Sequence, residues 1–171
     1  KSLFVNLGHL ILEERSSAPD TVMNGIQVGY KKDLDQIKFK IGASYYDYLA
    51  IQGRTPLYDT GDSAGNTLSG GNYINDYNLL EGFVELSLKK YPVSFFVDYV
   101  KNSEASENGS GILFGVRAGK KVKFSYNYRN LESDAVVGAF TDSDFKGGGT
   151  DGSGHEMSLS YPFTKKIKLS V

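Results

Sequence analysis

The chain has no cysteine and no tryptophan, and it carries only two histidines, two methionines and four prolines in 171 residues. Without cysteine there is neither a disulfide framework nor a thiolate metal site, an absence that suits passage through an oxidising compartment. His9 and His155 stand alone in separate segments, with no carboxylate pair at ligand spacing, so they do not read as metal ligands. No run of about 18 apolar residues occurs, which excludes a membrane-spanning helix. An excess of either charge is missing as well. Lys and Arg number 19 against 20 Asp and Glu, a formal net charge of −1. That balance argues against nucleic acid as a partner, because phosphate backbones call for a basic surface.

What is abundant points to β-structure: 20 glycines, 12 tyrosines and 10 phenylalanines. Period-two alternation recurs along the chain, and helical spacing is hard to find. In 121 to 129, Val122, Phe124, Tyr126 and Tyr128 alternate with Lys121, Lys123, Ser125, Asn127 and Arg129. In 37 to 46, Ile37, Phe39, Ile41, Ala43 and Tyr45 oppose Lys38, Lys40, Gly42, Ser44 and Tyr46. In 80 to 89, Leu80, Val84, Leu86 and Leu88 oppose Glu81, Phe83, Glu85, Ser87 and Lys89. With weaker copies at 2 to 11, 21 to 31, 92 to 100, 111 to 118, 155 to 161 and 166 to 171, nine strands are predicted.

Connections between them alternate between short and long. Short turns fall at 32 to 35, 89 to 92, 119 to 121 and 162 to 166, and long ones at 12 to 20, 49 to 76, 101 to 110 and 130 to 154. Tight turns at one end and extended loops at the other are the habit of an antiparallel up-and-down transmembrane β-barrel. The long segments are polar and rich in turn residues, so they are expected to be surface loops without cores of their own. The whole of 1–171 is expected to be a single β-barrel domain. Nine strands do not suit the even count of single-chain bacterial barrels, so the expectation is a chain truncated at both ends and belonging to a larger even-stranded barrel.

On this reading the apolar side chains meet lipid. Tyr45, Tyr99, Tyr126 and Tyr128 are expected near the long-loop ends, and Tyr30 and Tyr161 near the short turns, forming two aromatic girdles. The other face carries Lys38, Lys40, Glu81, Glu85, Asp98, Arg117, Lys123 and Arg129, charges of both signs that suit a watery lumen. A soluble barrel or sandwich with an ordinary solvated outer face would give the same pattern. Glu81, Glu85 and Asp98 alternate with bases on that face, and nothing marks a Ser, His and acid arrangement. No enzyme, no catalytic residue and no cofactor is therefore expected.

Residues 127 to 169, NYRNLESDAVVGAFTDSDFKGGGTDGSGHEMSLSYPFTKKIKL, resemble the bacterial putative porin family. The shared pattern is Tyr128, Arg129, Leu131, Glu132, Asp134, Ala135 and Val136, then Phe140, Asp142, Ser143, Asp144 and Phe145, then Gly148, Gly149 and Thr150. Pro92 to Asn102 resembles the family's preceding strand. The resemblance implies an outer-membrane, channel-like barrel. It brings no solute-binding residues with it.

Asp134, Phe140, Asp142, Asp144 and Phe145 are candidates for a loop that narrows the mouth, since Ala135 to Phe140 is too apolar for a free loop. Asp142, Asp144 and Asp151 among glycines make a weak Ca²⁺ candidate that lacks the spacing of known calcium loops. The leading expectation is a Gram-negative outer-membrane channel for passive diffusion of small hydrophilic solutes, with outer-membrane lipid or lipopolysaccharide around it and homo-oligomerisation left open. A non-conducting barrel acting as adhesin, anchor or scaffold, and a soluble β-barrel or sandwich binding module, are the alternatives.

Overall fold

Alternating side chains satisfy a strand when one face is apolar and the other polar, and the chain folds accordingly into antiparallel β-structure. A computed structural model describes residues 2–164 and 168–170. Its elements are β1 (Ser2–Glu13), β2 (Thr21–Asp33), β3 (Ile37–Leu49), β4 (Leu68–Ser69), β5 (Asn72–Tyr73), β6 (Tyr77–Leu88), β7 (Val93–Asn102), β8 (Ser110–Ala118), β9 (Lys123–Leu131), β10 (Gly152–Pro162) and β11 (Lys168–Ser170). All but β4 and β5 join one nine-stranded sheet in the order β1-β2-β3-β6-β7-β8-β9-β10-β11. Every pairing is antiparallel with its neighbour in sequence, and β4–β5 is a small separate hairpin inside the connection from β3 to β6. The part of the expected 162 to 166 turn at residues 165 and 166 lies outside the described residues.

The sheet is open, with β1 and β11 as its edges. Nine strands of alternating direction leave the first and last running the same way, so these two edges cannot meet as another antiparallel hairpin pair. The barrel expected from the alternation is present as its antiparallel sheet and not as a closed ring.

Register arranges side chains in rows across the strands. One row runs Ile41, Val84, Val97, Phe114, Tyr128 and His155 from β3 to β10. Leu3, Leu7, Ile26, Val84, Val97, Phe114 and Met157 on this face are exposed, Leu7 by 78%. An apolar sheet face left open to this extent is far larger than isolated surface hydrophobics require. Of the expected girdles, Tyr45 and Tyr99 are exposed on that face. Tyr126 sits midway along β9 instead, its hydroxyl 2.9 Å from His155 Nδ1. The neighbouring imidazole satisfies the phenol there, so interfacial water is not needed to place it.

The loops are where the sequence reading fails. Tyr48, Ile51, Leu57, Tyr73, Tyr77, Leu79 and Val137 form the buried hydrophobic cluster, and most of it lies in or beside the 50–76 and 132–151 connections. These loops do have a core. The sheet leaves its own apolar side chains exposed, so close packing falls to apolar residues of the loops, with Tyr73 and Tyr77 edge to face at 5.9 Å.

Candidate functional site

The polar face is built by the same register. Lys38 on β3, Glu81 and Glu85 on β6, Asp98 on β7, Arg117 on β8, and Lys123 and Arg129 on β9 all share it with Lys40, because their rows fall at alternate positions to the apolar ones. Across its middle runs a chain of side-chain hydrogen bonds. Asn6 Nδ2 donates to Gln27 Oε1 at 3.0 Å, Gln27 Nε2 to Ser44 Oγ at 3.0 Å, and Ser44 Oγ to the carboxylate of Glu81, which Tyr46 also approaches at 3.4 Å. Glu81 and Asp98 lie side by side on neighbouring strands.

The bases on this face are held mainly by aromatic rings. Lys40 lies 4.7 Å from the Phe83 ring centre and 5.6 Å from Phe4, Arg117 4.2 Å from Phe96, and Arg129 4.5 Å from Phe145. Such contacts orient a cation without neutralising it. Among the described residues, Lys40, Arg117 and Lys123 make no ion pair, whereas Lys38 pairs with Asp33 at 3.3 Å and Arg129 with Asp142 at 3.7 Å. Phe4, Phe83 and Phe96 were missed as site residues. Their polar-face parity was the available signal, and in a period-two strand an aromatic on the wetter face is the odd one out.

Over the long-loop end of this face the connections lock together through three buried polar side chains. Asn66 Nδ2 donates to Ser133 O at 2.7 Å and Val136 O at 2.8 Å, while its Oδ1 accepts from Gly138 N at 2.7 Å. Asp134 accepts from Thr67 N at 3.0 Å, Thr67 Oγ1 at 2.6 Å and Tyr77 OH at 3.2 Å. Asn102 Nδ2 donates to Asp76 O and Asp134 O, each at 3.0 Å, and its Oδ1 accepts from Asn78 N and Glu104 N. Thr150 N donates to Ala64 O at 2.8 Å. The approach is close enough to need glycine: Gly65 has φ +85°, and a Cβ there would lie 2.6 Å from Thr150 O. Burial raises the Asp76 carboxyl above its ordinary value, an effect partly offset by the Tyr77 N–H that it accepts.

The loop candidates separate. Asp134 belongs to this clasp of loops, and Phe140 meets Tyr58 edge to face and Tyr48 at a tilt. Asp142 reaches Arg129, Phe145 is buried against Arg129 and Gly154, and Asp144 is exposed. Phe140 and Asp142 line a cleft of about 360 Å³ with Tyr46, Glu81, Asp98 and Arg129. The weak calcium candidates do not converge: among the described residues no three acidic or imidazole side chains form a cation cluster, and Asp142 Oδ1 caps Asp144 N at 3.0 Å.

Residues 116–171 match the protein-family model described as putative porin. Over this segment the chain is similar to the putative porin family. The matched segment takes in the end of β8, then β9, the loop with Asp134, β10 and β11, and contains all of the resemblance read at 127 to 169. Pro92 to Asn102 lies outside it. No curated protein and no solved structure matches the chain.

Proposed function

We propose that this sheet supplies the wall of an outer-membrane β-barrel whose polar face lines a watery path for the passive diffusion of small hydrophilic solutes. The observation that carries the reading is the division of the sheet: a continuous exposed apolar face on one side, and on the other a charged, hydrogen-bonded face with packed loops over one end. Soluble sheets bury the apolar side, whereas lipid would cover it here. The porin-family match supports the same location. In lipid both edges need strand partners, since an unpaired edge leaves N–H and C=O groups with no water to bind, so closure of the barrel is part of the proposal.

Planar-bilayer recording tests it. Detergent-purified protein is expected to insert and give discrete conductance steps, and to migrate differently on gels before and after boiling. Extraction without detergent together with the lack of both behaviours would sink the membrane reading. The packed loop core favours one second reading, a non-conducting barrel that displays the clasped loops as adhesin, anchor or scaffold. Insertion without conductance would select it.

A further inference from the structure

Near the short-turn end the polar face carries a row unlike the others: Lys38, Ser87, Ser94, Arg117, Ser125 and Ser158, one residue from each of six adjacent strands. The next polar pair toward the turns is Lys123 with Ser160. The four serines of that row and Ser160, with Arg117 and Lys123, line a groove of about 430 Å³ whose lining contains no carboxylate. Ser125 and Ser158 share a hydrogen bond of 2.7 Å, while Ser87, Ser94 and Ser160 have no side-chain partner among the described residues. Arg117 holds its guanidinium carbon over the Phe96 ring, 4.2 Å from its centre. A ring contact does not consume the guanidinium N–H groups, and Arg117 makes no side-chain hydrogen bond or ion pair among the described residues. Hydroxyls with free O–H groups beside two unpaired cations are the donor set that an oxyanion recognises.

Resting on the channel reading above, we propose that this groove is a binding site for tetrahedral oxyanions, with Arg117 and Lys123 supplying charge and the serine row supplying donors. It makes the short-turn mouth prefer anionic solutes. The acidic pair Glu81 and Asp98 lies farther along the strands, nearer the clasp. A solvent-open site binds weakly, which suits a conduction path where a solute must enter and also leave.

Inorganic phosphate is the probe. In maltoside micelles, which carry no phosphate, the full chain is expected to broaden the phosphorus resonance of added phosphate saturably. Arg117→Gln with Lys123→Gln should weaken that binding about tenfold, the scale of a lost charge-assisted contact. Ser94→Ala with Ser125→Ala, which keeps both charges, should weaken it by a smaller factor, and Lys90→Ala, which removes one charge outside the groove, should leave it unchanged. Equal broadening in wild type and the Arg117/Lys123 pair, or an equal loss in Lys90→Ala, overturns the site. Adding anionic phospholipid separates the sources: if lipid competes phosphate off at stoichiometric amounts, the groove is a headgroup site and the solute assignment fails. In bilayers under a KCl gradient, wild type should reverse toward the chloride potential and the Gln pair toward potassium. Phosphate binding without any conductance defeats the channel reading and leaves the site standing, whereas conductance with no phosphate binding and no shift in reversal does the opposite.

Discussion

Asn66 is the residue on which the loop architecture turns. Its amide saturates two carbonyls and one N–H from a segment about seventy positions away, all in a buried setting. Asn66→Ala orphans those three backbone groups, and at about 1 kcal/mol or more for each unsatisfied group it should lower the opening free energy of 132–151 by about 3 kcal/mol. Faster amide exchange confined to 50–76 and 132–151, with strand protection intact, is the expected readout. An unaffected 132–151 would mean that apolar packing alone holds the loop. Asp76 adds a pH dependence at the same place. Its folded-state carboxyl binds a proton more tightly than the ordinary value of 3.8, so its contribution favours the folded loops below that value and is lost as pH rises through the raised one. Asp76→Asn, which mimics the protonated carboxyl, should flatten the acid side of the loop-exchange profile and hold its neutral plateau at the more protected acid level.

The strands make a prediction that separates lipid from water. Val97 stands in the middle of the exposed apolar row, and Val97→Arg should cost about 2–4 kcal/mol if that row lies at the bilayer midplane. Glu85→Gln, on the opposite face, should stay within about 0.5 kcal/mol. Urea titration of the vesicle-inserted protein measures both, and a neutral Val97→Arg would place the apolar face outside the membrane. This contrast is legible in the sequence, because side-chain parity is set by a period of two and survives errors of a residue at strand ends. All nine strands and the face of Lys38, Glu81, Asp98 and Arg129 follow from it. The clasp does not, since Asn66, Asn102 and Asp134 lie in turn-rich segments where such residues commonly bond their own backbone. Only long-range closure decides that Asn66 reaches Val136 instead of its neighbours, and no local pattern encodes that. The hairpin Leu68–Ser69 with Asn72–Tyr73 is too short to show alternation at all.

At the scale of the molecule, the proposed channel makes the clasp either a fixed rim or a moving gate. Thr67 Oγ1 and Ser133 Oγ lie 3.2 Å apart on the two interlocked connections, and the chain has no cysteine to compete. Thr67→Cys with Ser133→Cys therefore places two thiols within disulfide reach, and oxidation would tie the 50–76 loop to the 132–151 loop covalently. With Asn66, Asp134 and the Thr150 bond to Ala64 O already joining them, the disulfide should add little to the native geometry. On the proposed channel reading, single-channel conductance is expected to be the same oxidised and reduced, because a solute path along the cleft lined by Glu81, Asp98 and Arg129 would run beneath the clasp. Asn66→Ala, which loosens the same contact, should by contrast raise the current noise, since the freed loop then moves in and out of that cleft. A conductance that falls on oxidation and returns with reductant would mean that the loops part in every conducting event. The clasp would then be the gate and not the rim.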